Sequence, residues 1–159
     1  MPIVSPHRGS ALIDGRQSER ALLVRRGVQR LLYEMKHALL PELNLADGRR
    51  ADLISLSEKG EFWIIEIKSS VEDLKADKKW SDYHHHCDRL FFATHSGVPL
   101  EIFPTECGMI LSDGYAAEIV RDAPVHKLAP ATRKALTLRF ARAGADRLLI
   151  AEQKAYQRA

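Results

Sequence analysis

Asp52, Glu66 and Lys68 are the residues of this chain whose types and spacing suit a chemical task. Two carboxylates brought side by side offer hard oxygen ligands to a divalent cation that keeps waters and a phosphate oxygen in its shell. A lysine ammonium beside them orients a water and offsets charge on a pentacovalent phosphate. On this reading Asp52 and Glu66 are the carboxylates, the Ile67 carbonyl is a third ligand, and Lys68, two residues past Glu66, returns to the same strand face. The chemistry is phosphodiester hydrolysis by a metal-activated water, with Mg2+ as the cation and Mn2+ as a substitute. The plain alternative is an ordinary cross-strand ion-pair network.

The elements that must position them are two short apolar segments. Residues 51–57 and 62–68 flank Glu58-Lys59-Gly60, a three-residue loop ending in glycine that suits a hairpin. Pairing Ser57 with Glu61 sets Asp52 opposite Glu66 and Arg50 opposite Lys68. The two-residue period then gives Asp52, Ile54 and Leu56 the same face as Phe62, Ile64, Glu66 and Lys68. Like charges opposite one another on an apolar face destabilise a strand pair, so a compensating cation is expected. A one-residue slip in register would send each set to the other face.

The 159 residues are about one domain, and 45% hydrophobic with 28% charged content fits a globular protein. No apolar run reaches the roughly 18 residues of a membrane span, and the polar start reads as no signal peptide. Cys87 and Cys107 are expected as reduced thiols in a cytoplasm. Net charge is +3, unevenly spread: residues 1–40 carry seven Lys/Arg and three acids, 41–125 nine and sixteen, 126–159 eight and two. Basic ends around an acidic middle suit an anionic partner such as DNA, gripped by the flanks.

Along the chain, residues 1–17 read as a flexible arm and 18–159 as one domain. Ser18 is expected to cap a helix ended by Pro41, with Gly27 weakening its middle. A short strand at Leu43–Ala46 turns through Asp47-Gly48 into the Asp52 strand. A second helix is expected over Val71–Cys87, strands at 88–94, 100–103, 108–111 and 115–120, and a basic helix from Pro130 that Gly144 breaks in two. The order gives an α/β layered domain around a mixed sheet.

Helix, hairpin with Asp and then Glu-x-Lys, helix and strand resemble the core of the PD-(D/E)XK nuclease superfamily. The segments Arg49-Arg50-Ala51-Asp52-Leu53-Ile54, Glu66-Ile67-Lys68-Ser69-Ser70, Asp77-Lys78-Lys79-Trp80, Cys87-Asp88-Arg89-Leu90 and Leu138-Arg139-Phe140-Ala141-Arg142 resemble the MmcB family of bacterial DNA repair proteins. That likeness runs from about residue 20 to residue 148. It implies a restriction-endonuclease-like three-layer fold, a central mixed β-sheet flanked by helices, a role in DNA repair and a Mg2+-dependent nuclease site at Asp52, Glu66 and Lys68. The superfamily often adds an acid from the first helix; Glu34 is favoured over Glu19 and Glu42. Some branches carry Gln-x-x-x-Tyr on the second helix, where this chain has Lys79 and Tyr83.

Arg49 and Arg50 beside the acids, Lys79, and Arg139 and Arg142 of the last helix are the expected nucleic-acid contacts, with Arg133, Lys134 and Arg147 as further basic candidates. His84 and Cys87 share a helical face, but zinc needs two more ligands, recruited from Cys107, His95 or His126. We expect Cys87 buried and the histidines solvated or facing DNA. No glycine-rich phosphate loop calls for a nucleotide cofactor. Two functions from different classes remain: a Mg2+-dependent deoxyribonuclease, and a non-cleaving DNA-binding or scaffold protein that positions other repair proteins. RNA processing is a third.

Overall fold

A computed structural model describes residues 10–159, with side chains from Glu19 onward. Helix α1 (Ser10–Glu34) precedes strands β1 (Ala38–Asn44), β2 (Arg50–Leu56) and β3 (Phe62–Ile67). Then come helix α2 (Val71–Ala76), a 3-10 segment (Trp80–His86), β4 (Arg89–Thr94), a 3-10 turn (Leu100–Ile102), β5 (Gly108–Ser112), β6 (Ala117–Arg121) and helix α3 (Pro130–Gln157). The six strands form one mixed sheet in sequence order, antiparallel except for the parallel pairs β3/β4 and β4/β5.

Strand alternation builds two cores on the two faces of this sheet. Leu53, Trp63, Ile65, Phe91 and Ile110 meet Val24, Val28 and Leu32 of α1. Ile54, Phe62, Ile64, Leu90, Phe92 and Met109 meet Tyr83, Cys87, Leu128 and Leu136, beneath the 3-10 segment and α3. The result is the three-layer α/β arrangement expected from the order of elements. Among the described residues no helix is long and apolar enough to cross a membrane.

Helix α1 ends six residues before Leu40, with a cause in the backbone. Lys36 adopts φ 68, its N–H bonds the Tyr33 carbonyl, and the His37 N–H bonds Leu32, a Schellman closure. His37 then turns inward, 8% exposed, against Ser55 Oγ at 2.9 Å. Leu39 and Leu40 are thereby spent on β1, and Pro41 sits within that strand rather than ending the helix. Strand β1 is a sheet edge, where a missing N–H costs no ladder bond.

The other departures are local. Helix α2 stops at Ala76 because Asp77 turns out of helical geometry and accepts from the Lys79 N–H at 3.2 Å. Leu100–Ile102 form a 3-10 turn between Pro99 and Pro104 where a strand over 100–103 is expected. Gly144 does not interrupt α3, which runs on to Gln157. Of the expected arm, residues 1–9 lie outside the described residues, and the helix starts at Ser10.

One buried carboxylate ties this frame together. Asp88, 2% exposed, accepts from the Phe62 and Leu128 N–H groups at 2.7 and 2.9 Å and from both terminal nitrogens of Arg133 at 2.6 and 2.9 Å. Arg133 also bonds the Gly60 carbonyl at 2.6 Å, so the hairpin turn, β4 and the start of α3 share one knot. Arg133 is thereby engaged in holding the fold together.

Candidate functional site

The β2–β3 hairpin has the expected register. Ser57 N–H bonds the Glu61 carbonyl at 2.9 Å, and the pairs run from Leu56↔Phe62 to Leu53↔Ile65. Gly60 closes the turn at φ 83, a conformation that suits glycine. One step further the side chains of the acids replace ladder bonds. Asp52 N–H donates to Glu66 Oε1 at 3.2 Å, and Ile67 N–H donates to Asp52 Oδ2 at 2.8 Å. The acids thus clasp the two strands at the hairpin's open end.

The two carboxyl groups line the same cavity, joined through these crossed backbone bonds. Glu66 is 3% exposed. Burial, then the charge of Asp52 and the hydrogen bond with it, push the Glu66 carboxyl well above its ordinary range, and Lys68 only partly opposes this. Lys68 is 8% exposed, and its Nζ lies 2.6 Å from Asp77 Oδ2. A cavity of about 540 Å3 is lined by Asp52, Glu66, Ile67 and Lys68 together with Asp73, Asp77 and Tyr83. Tyr83 donates to the Arg50 carbonyl at 3.0 Å, and burial followed by the nearby carboxylates raises its phenol well above the usual range.

Short local bonds hold the Lys68 end. Thr94 Oγ1 donates to the Lys68 carbonyl at 2.7 Å, and Ser70 caps α2 by accepting from Asp73 N–H at 3.1 Å. Asp73 in turn accepts from Ser69 Oγ at 2.8 Å. The β3-to-α2 corner is thereby fixed, and with it Lys68 and Asp77. The sequence reading gives Asp77 no role; its place four residues after Asp73, just past the end of a helix that Ser70 caps, is the available signal.

Glu34 does not join the acids. It is exposed at the far end of α1 and pairs with Arg30 at 3.3 Å, while the α1 residue on the cavity is Ala21. Helix α1 meets the site near its middle, at Ala21, and Glu34 lies more than three turns further on, out of reach of the acids. Glu19 is exposed. Glu42 lies next to the site instead: it lines a second cavity with Asp52 and Ile67, at the unusual φ of 53. No group of three or more His, Cys, Asp or Glu in cation-holding geometry exists among the described residues. A cation here would take Asp52, Glu66 and non-acidic oxygens such as the Ile67 carbonyl, a set that fits Mg2+ with its retained waters. The same absence removes a zinc cluster at His84 and Cys87, and Cys87 and Cys107 are both buried.

The basic residues divide. Arg49 is committed to Asp47 and Asp82 and stacks over Tyr83 with 5.9 Å to the ring centre, so it braces the 3-10 segment. Arg50 is exposed, with Glu42 at 3.9 Å. Lys79 is exposed between α2 and the 3-10 segment. Arg139 and Arg142 are exposed on α3 around a separate cavity against β1, where Arg147 is tied to the Pro41 and Glu42 carbonyls.

Fold and site together define a three-layer α/β protein with a buried Glu66, a half-buried Asp52 and a lysine at the mouth of a split hairpin. Residues 8–155 match the model of the MmcB-like family, described as DNA repair protein MmcB-like, and the chain belongs to that family. It is also similar to a solved structure, the SPO1766 protein of unknown function from Silicibacter pomeroyi. The two are 43% identical with a TM-score of 0.83, over 86% of this chain and 93% of that one. No curated protein matches the chain.

Proposed function

We propose that this DNA repair family member is a Mg2+-dependent deoxyribonuclease acting at Asp52, Glu66 and Lys68. The observation that carries the reading is the meeting of the Asp52 and Glu66 carboxyls in one cavity with Lys68. A buried Glu66 carboxyl beside the half-buried Asp52 is disfavoured in its charged form without a counter-charge, and a divalent cation supplies one. When bound, the cation polarises a phosphoryl oxygen and makes a water more acidic. Asp52 and Glu66 hold it, with the Ile67 carbonyl as a further ligand. Lys68, steadied by Asp77, presents its ammonium to the attacking water and to the charge that develops on phosphorus. Exposed Arg50, Lys79, Arg139 and Arg142 position the strand through phosphates without reading bases.

The test is to incubate the protein with linear, nicked, gapped, forked and four-way DNA in Mg2+ or Mn2+, beside Asp52→Ala and Lys68→Ala. Cutting that requires metal and disappears in both variants supports the enzyme. Tight binding with no cutting on any substrate leaves the non-cleaving scaffold as the correct reading, which the family name alone accommodates equally well.

A further inference from the structure

The second cavity beside Asp52, about 290 Å3, is walled by Ala21, Leu22 and Arg25 of α1, by Glu42 of β1, and by Asp52 and Ile67. It shares Ala21, Asp52 and Ile67 with the carboxylate cavity, so the two flank Asp52. Arg25 Nε is buried and has no hydrogen-bond partner, the one such side-chain atom among the described residues. Arg30, Arg49, Arg89 and Arg133, by contrast, each pair with a carboxylate. Arg25 as a whole is half-buried: Nε is shut off from water while the side chain lines the cavity, and no carboxylate among the described residues is bonded to it. Glu42 on the opposite wall is a poor partner, since it is exposed and lies 3.9 Å from Arg50, which offsets its charge.

We infer that Arg25 is a phosphate clamp, binding a phosphate of the nucleic-acid strand in the cavity next to Asp52. This rests on the DNA reading above and deepens it. The terminal guanidinium nitrogens, on a side chain that lines the cavity, match phosphate oxygens in charge and planar geometry, while the closed-off Nε end fixes the side chain in place. The ligand chemistry is a phosphate mono- or diester, either a strand end or an internal linkage. The clamp would set which phosphate lies over the acids. Arg25 is thus a substrate-binding residue, and exposed Arg26 beside it serves as a charge-matched control.

The experiment measures binding in EDTA, where no cleavage occurs. Fluorescein-labelled 20-mers, single-stranded and duplex, carrying a 5′-phosphate or a 5′-hydroxyl, are titrated with wild type, Arg25→Ala, Arg25→Lys and Arg26→Ala, and melting is recorded for each. Arg25→Ala is expected to weaken binding at least about tenfold and to lower the salt slope by about one, with a melting temperature equal to or above wild type. Arg25→Lys restores charge but not the planar fork, and recovers part of the affinity. A loss confined to 5′-phosphorylated probes assigns the clamp to a strand end, and an equal loss on both assigns it to an internal phosphate. Wild-type binding that Arg25→Ala leaves within twofold, or that Arg26→Ala reduces equally, overturns this inference alone. Failure of wild type to bind any probe, both in EDTA and with Ca2+ supplied in its place, overturns the DNA reading and the clamp with it.

Discussion

Glu66 carries a conflict between stability and binding. Its carboxyl is held well above the ordinary 4.5 by burial and by Asp52, so the folded state binds this proton more tightly than the unfolded chain does. The penalty is absent below the unfolded value and grows as pH rises through it. Glu66→Gln keeps an oxygen to accept the Asp52 N–H and gains an amide to donate to the Asp52 carboxylate. It is therefore expected to melt above wild type in EDTA at pH 8, with the difference shrinking toward pH 4, as calorimetry across that range would record. Asp88 behaves in the opposite sense. Burial alone would raise it, but the bonds from Arg133, Leu128 and Phe62 outweigh burial and hold it below the usual carboxylate range. Its stabilisation is present above the unfolded value and lost as pH falls through the folded one. Asp88→Asn is expected to lose about 3 kcal/mol in urea unfolding at pH 7, a deficit that narrows as the wild-type carboxyl is protonated in acid.

At the scale of elements, Gly27 lies where α1 crosses the β5–β6 turn. A Cβ there would sit 2.1 Å from Ser112 Oγ and 2.8 Å from the Ala116 carbonyl oxygen, while Ser112 Oγ bonds the Val24 carbonyl at 2.9 Å. Helix propensity favours Gly27→Ala by about 1 kcal/mol, but overpacking against backbone costs about 1–3 kcal/mol, so the variant is expected to unfold at lower urea. Helix α3 shows the reverse case: every residue beyond Arg147 is exposed. A chain ended after Arg147 is expected to melt within about 2 °C of the full chain, whereas Arg147→Ala frees the Pro41 and Glu42 carbonyls and melts lower. These elements also mark what was legible in sequence. The hairpin register followed from Gly60 and the two-residue apolar period, because both are local. The end of α1 did not, since Leu39 and Leu40 suit a helix stripe and an edge strand equally and the decision lies with Lys36 and His37. Likewise Asp77 looked like one more turn of helix, and its pull toward Lys68 is a tertiary contact that spacing does not reveal.

Across the whole molecule, the basic ends of the sequence are less available than their count suggests. Arg133 and Arg147 hold the fold, and Arg139 and Arg142 lie across β1 from the acids. Basic side chains on the cavities at the carboxylate pair are Lys68, just after β3, and Arg25 of α1, with Arg50 of β2 beside Glu42. The sheet order brings them together: β1 and β2 set Glu42 and Asp52 adjacent, β3 adds Glu66 and Lys68, and α1 covers that end. Everything in the proposed function depends on this pair taking up a divalent cation. The direct measurement is titration of Mn2+ into the DNA-free protein, read by calorimetry and by loss of the free-ion paramagnetic resonance signal. The account predicts one site per chain, competed by Mg2+, abolished in Asp52→Asn and Glu66→Gln, and retained in Glu34→Gln. A wild-type chain that takes up no Mn2+, or variants at Asp52 and Glu66 that bind it as wild type does, would contradict it.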